Sequence, residues 1–205
     1  MNTIKETLEN EIIINKSRFI TKLISVSNVD EAVNKLNEIR KKYHDATHNC
    51  YAYIIGENQE IQKFSDDGEP QGTAGSPMVE VLKKNNLTNV LVVVTRYFGG
   101  ILLGAGGLVR AYSDSVSCAI KKAEIYSIIE LQKVLLSINY TEYNLLSETI
   151  NSFDIINQRF SQTVDLQVGI PLNSLPYFKE EFENVTRGKG ILILDKIYLG
   201  TIKVN

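Results

Sequence analysis

The spacing of apolar positions changes along the chain, and each change predicts an element. Glu11–Asn15 and Phe19–Val26 are short apolar runs around a polar Lys16–Ser17 turn, the pattern of two joined strands. Val33, Leu36 and Ile39 then recur at helical spacing, behind Asn28 or Asp30 as the cap. Tyr43 to Tyr53 reads as a loop entering a strand, Cys50–Gly56, which turns at Glu57–Asn58 into its partner Ile61–Ser65. Thr73–Lys84 reads as a helix with Pro77 near its first turn and Met78, Val81 and Leu82 as its buried stripe. Val90–Thr95 is an unbroken apolar, β-branched run, which predicts a strand buried on both faces. A further helix opens at Gly106–Gly107 and repeats Leu108, Tyr112, Val116 and Ile120 in four-residue steps.

After Tyr126 the pattern becomes regular, and glycine is absent until Gly169. Strand Glu130–Ile138, helix Thr141–Ser152 with Leu145, Leu146 and Ile150 inward, and strand Asp154–Phe160 follow one another. Then come the alternating strand Thr163–Ile170, the helix Asn173–Val185 and the strand Ile191–Leu199. The order β-α-β-β-α-β is that of a ferredoxin-like domain. The chain therefore reads as α+β with two domains, 1–126 and 127–205, and a boundary between Ala123 and Glu130. The second domain offers no histidine, cysteine or nucleophile cluster and reads as a binding module.

Candidate chemistry concentrates between Phe64 and Tyr112, which hold eight of the 13 glycines and two of the four prolines. Two glycine-rich turns, Gly68–Gly75 and Gly99–Gly107, each open a predicted helix. Glycine is needed where the backbone takes positive φ or approaches something closely. Arg96 ends the buried strand, where ligand sites of α/β folds gather. Arg110 falls in the expected first turn of a helix, where the dipole opposes a cation. A bound anion or an ion pair with Asp114 would relieve that conflict. Arg96, Tyr97, Gly99, Gly100, Gly104, Gly106, Gly107 and Arg110 thus form an expected anion or nucleic-acid surface. A second candidate polar site comprises His48, Asp66, Asp67, Glu69 and Thr73. Its carboxylates fit a tight capping turn, and also a cation site or general base. The cluster Arg40, Lys41 and Lys42 complements the C-terminus of its helix or lies on an RNA-facing rim.

No metal site is expected. His44 and His48 lie four apart, which on a strand separates them by about 13 Å. Cys50 and Cys118 have no ligand spacing and read as reduced buried thiols of a cytoplasmic protein. Net charge is −2, with 22 Lys+Arg against 24 Asp+Glu, so bulk charge gives no argument for nucleic acid. No apolar run reaches the roughly 18–20 residues of a membrane helix, and no signal-peptide core begins the chain, so a soluble, cytosolic protein is expected.

The segments DDGEPQGTAGSP and VVVTRYFGGILLGAGGLVRAY resemble the signature of the IMPACT family, in its bacterial, YigZ-type branch. ATHNCYAY at Ala46–Tyr53 is similar to a third family segment, with Asn49 where the family leads one to expect a second histidine. The resemblance implies an N-terminal fold shared with a ribosomal-protein domain and the GHMP kinases, and a C-terminal module like the last domain of elongation factor G. It also implies a role in translation and its control under stress, rather than a secure enzymatic reaction. Two functions follow. One is a non-enzymatic protein that binds RNA, the ribosome or a translation-regulatory protein, without cofactor, metal or catalytic residue. The other is an enzyme acting on a phosphorylated small molecule, with GILLGAGGL as a phosphate loop and Asp66 or Asp67 as base or magnesium ligand.

Overall fold

The computed structural model describes residues 1–204, which form two compact units, Met1–Tyr126 with the chain end from Lys203, and Ser127–Ile202. The first unit comprises β1 (Asn2–Thr3), β2 (Leu8–Ile14), β3 (Ser17–Ser25), α1 (Val29–Lys42), β4 (His48–Ile55), β5 (Ile61–Ser65), α2 (Gly75–Lys84), β6 (Val90–Tyr97) and α3 (Gly104–Lys122). Its sheet runs β2-β3-β6-β4-β5. β6 therefore lies at the centre, antiparallel to β3 and β4. That position explains the unbroken apolar run: Val90, Val92 and Val94 pack on α2 and α3, while Leu91 and Val93 pack on α1. The helices thus cover both faces of the sheet.

Local chemistry places the helix ends. Asn28 caps α1 by accepting from the Glu31 N–H, and the basic trio Arg40, Lys41 and Lys42 fills its last turn. On α2 the buried residues are Met78, Val79 and Leu82, with Val81 partly buried against the same core. Leu108, Tyr112, Val116 and Ile120 are all buried along α3. That helix begins at Gly104, two residues before the expected start, because glycine in a first turn carries no apolar signal to mark it.

The second unit comprises β7 (Tyr126–Ile138), α4 (Tyr140–Asn151), β8 (Asp154–Phe160), β9 (Val164–Pro171), α5 (Leu175–Thr186) and β10 (Ile191–Lys203). Strand order β10-β7-β9-β8 with two helices gives the ferredoxin-like βαββαβ arrangement. A capping box between Asn139 and Glu142 starts α4. Val164, Leu166, Val168 and Ile170 face the core of this unit with Leu146, Ile150, Phe178 and Phe182. Leu145, expected to point inward, is instead 65% exposed, while Leu146 and Ile150 form the buried stripe of α4. No helix among the described residues is long and apolar enough to cross a membrane.

Candidate functional site

The register of the central strands assembles the site. Arg96 of β6 stands between Phe19 of β3 and His48 of β4, on the sheet face that α2 and α3 cover. Its guanidinium lies over the Phe19 ring at 5.3 Å and the Phe98 ring at 5.5 Å. It donates to Glu69 Oε1 at 2.6 Å, and Tyr112 of α3 donates to the same oxygen at 2.7 Å. The side chains of Arg96 and Glu69 are only 6% and 3% exposed. The carboxylate is held through Oε1 by a cation and a phenol, and removing the cation would strand its charge.

The three carboxylates of the DDGE turn each serve a separate internal purpose. Asp66 accepts from the N–H groups of Gly72, Ala74 and Gly75, and so caps α2, whose own N-cap residue Ala74 has no capping side chain. Asp67, held at φ 46, accepts from Arg40 and from the Asn49 N–H. Glu69 is the only one of the three that reaches the Arg96 site. Thr73 is buried and donates to the Pro70 carbonyl, within the turn. The two histidines are apart in role: His44 approaches the Lys41 carbonyl, whereas the His48 Nδ1 is 2.8 Å from the Asp67 carbonyl.

Beneath these groups Cys50 and Tyr112 meet at 3.3 Å, and the Cys50 thiol also lies 3.0 Å from the Asp66 carbonyl. Burial pushes the Cys50 thiol up to about 12 and drives the Tyr112 phenol strongly upward as well. Neither is a nucleophile at neutral pH.

Both glycine-rich turns line one cleft of about 390 Å³, with Gly68 to Pro70 on one side and Leu102 to Ala105 on the other. His48, Glu69 and Arg96 reach it, and Phe98, Leu103 and Leu108 supply apolar walls. Leu103, the N-cap residue of α3, gives the helix no side-chain cap.

The expected anion surface divides. Tyr97 faces the opposite side of the sheet from Arg96, since successive strand residues alternate. There it donates to Asp45 and stacks beneath Arg18. Arg110 is exposed, and among the described residues it makes no ion pair with Asp114. With α3 starting at Gly104, Arg110 falls in the second turn, so the opposing dipole that argued for a bound anion has largely faded. Arg96 is buried and paired with Glu69, and its Nε is a buried donor without a partner among the described residues.

The glycines divide too. Gly100 and Gly104 have φ of 83° and 68°, whereas Gly106 does not need positive φ and has open space where a side chain would begin. A Cβ on Gly107 would only press on Leu103, at 3.1 Å. Gly99 packs on the Lys16–Ser17 turn, where a Cβ would lie 2.0 Å from the Lys16 carbonyl carbon.

Sequence reasoning took Tyr112 only as core and passed over Phe98 and Leu102. The signal was present in FGGILLG, where apolar residues alternate with glycines outside any periodic element.

Residues 15–120, which hold His48, Glu69, Arg96 and Tyr112, match the Impact N-terminal domain. The chain belongs to the IMPACT family. It is 43% identical over 189 residues to the IMPACT family member YvyE of Bacillus subtilis (strain 168), covering 91% of this chain and 87% of that protein. It is 36% identical over 179 residues to the IMPACT family member YigZ of Escherichia coli (strain K12), covering 85% and 88%. Among solved structures, a crystal structure described as that of a hypothetical protein superposes with TM-score 0.58 at 32% identity, over 95% of this chain and 97% of the other. The two-domain translational regulator Yih1 is a more distant likeness, with TM-score 0.36 and 22% identity over 60% of this chain and 47% of that one, too low to carry an argument.

Proposed function

We propose that this IMPACT-family chain is a cytoplasmic, translation-associated regulatory protein that docks on the ribosome without performing chemistry. The docking surface is the loop between β6 and α3 together with the outer face of the first turns of α3. The observation that carries this reading is the exposure of apolar side chains on that loop: Leu102 is 86% exposed, Phe98 44% and Ile101 43%. Val109 and Arg110 continue the same surface along α3, adding an apolar contact and a cation. An apolar loop flanked by a cation suits a partner with phosphates and stacked rings or apolar pockets. The family resemblance supplies the translation context.

Against an enzyme stands the use made of the carboxylates: Asp66 caps α2, Asp67 holds Arg40, and Glu69 neutralises Arg96. Both oxygens of Asp66 and of Asp67, the two carboxylates expected as base or magnesium ligand, are held by internal donors.

Sedimentation of the tagged chain with ribosome fractions, at low and high salt, tests the reading. Wild type should co-sediment at low salt and be released by high salt, whereas Leu102→Asp with Phe98→Ser should stay in the supernatant while unfolding at the wild-type midpoint. Equal sedimentation of both proteins, or none by either, defeats the proposal.

A further inference from the structure

The cleft under the β6–α3 loop ends on two hydrogen-bond acceptors that have no donor. A carbonyl can only accept, so the 2.8 Å contact with the Asp67 carbonyl makes His48 Nδ1 the donor. In the neutral ring Nε2 is then a bare acceptor. It faces Glu69 Oε2 at 3.8 Å, too far for a hydrogen bond. Glu69 accepts its two hydrogen bonds through Oε1, and among the described residues none reaches Oε2. The side chain of Glu69 is nevertheless 97% buried, taking its 3% exposure from the whole. Oε2 is the part of that side chain that meets the cleft, so a donor in the cleft can reach it.

The chemistry of the partner follows from the geometry. One atom placed in hydrogen-bond range of both acceptors must bring two hydrogens. A hydroxyl has one. An anion is repelled by Glu69. A metal ion would find no third ligand, since no group of three or more His, Cys, Asp or Glu among the described residues could hold one. Arg96, already at 2.6 Å from the same carboxylate, opposes a multivalent cation further. Phe98, Leu102 and Leu108 wall the approach and suit an apolar stem. We infer that the cleft binds a nitrogen carrying at least two N–H donors, as a primary ammonium or a primary carboxamide, at the end of a short apolar chain. This does not depend on which macromolecule the loop meets.

Titrating the full chain with n-butylammonium, butyramide and 1-butanol, at constant ionic strength and pH, tests the site by NMR. The observables are the His48 ring resonances and the methyls of Leu102 and Leu108. Butyramide or n-butylammonium should move them saturably, about tenfold tighter than 1-butanol, as one extra hydrogen bond of ordinary strength allows. Which of the two nitrogen probes binds better identifies a neutral or a charged head. Glu69→Gln removes one acceptor but disturbs the pair with Arg96, so His48→Phe is the decisive variant: its leucine methyls should no longer respond with the tenfold preference. Equal affinity for 1-butanol, an undiminished preference in His48→Phe, or no saturable shift with any probe overturns the inference.

Discussion

Arg96 and Arg110 carry the same charge in opposite surroundings. Arg96 neutralises a carboxylate that is itself 3% exposed, while Arg110 stands in solvent on α3. Arg96→Gln should therefore cost about 3–5 kcal/mol, the range for breaking a buried pair. Arg110→Gln should stay within about 0.5 kcal/mol. Urea denaturation of the two variants checks both numbers, and equal costs would mean that the pair with Glu69 contributes nothing particular. Cys50 gives a pH prediction. Its thiol is raised from an ordinary 9.0 to about 12, so between those values the unfolded chain has released a proton that the folded chain keeps. Stability then falls as pH rises through that window, by about 1.4 kcal/mol per pH unit for this one group, and the group adds no slope below it. Denaturation at a series of alkaline pH values should show a shallower fall in Cys50→Ala than in wild type. A shared slope would place the titration elsewhere.

At the scale of elements, the loop between β6 and α3 holds glycines of different kinds. Gly99→Ala forces a side chain into the Lys16 backbone and should lower the melting temperature sharply, because backbone cannot swing aside. Gly106→Ala meets open space within a helix and should stabilise by about 0.5–1 kcal/mol. Thermal melts of the two variants decide whether the glycine richness of this stretch is one requirement or several. The elements themselves were legible because each buries a stripe of the right period, as Leu108, Tyr112, Val116 and Ile120 show on α3. Short β1 was not read, since two residues carry no period. The start of β4 at His48 was read as loop because His48 and Asn49 are polar, although the site needs exactly those positions on a strand. The site was half legible. Glu69 and Arg96 were both named from sequence, but their pairing spans 27 residues and depends on a register that no local pattern displays. Tyr97 and Arg96 were expected on one surface, and as neighbours in a strand they point to opposite faces of the sheet.

At the scale of the whole molecule, each unit has its own core. Phe178, Phe182, Leu146 and the alternating face of β9 fill that of the second. A fragment from Ile125 to the chain end should therefore fold alone and show a single cooperative urea transition. A broad, non-cooperative loss of circular dichroism from the fragment, with the intact chain unfolding cooperatively, would make the second unit dependent on the first. The boundary was expected there because glycine stops where the regular βαββαβ pattern begins. The β6–α3 loop was harder, since nothing in FGGILLG alone says that Leu102 points to solvent while Leu103 and Leu108 line a cleft.

The central place of β6 also governs how the first unit comes into being. β2 with β3, and β4 with β5, are hairpins between neighbours in sequence, but β3 and β4 join only through β6, in a register that sets Arg18 opposite Tyr97. Two half-sheets must therefore wait, each with an unpaired edge, until the last of their shared strand has been made. Closing such distant partners is slow, and waiting edges are where chains stick to one another. A stall in synthesis just before Tyr97 would hold the nascent chain in its most aggregation-prone form.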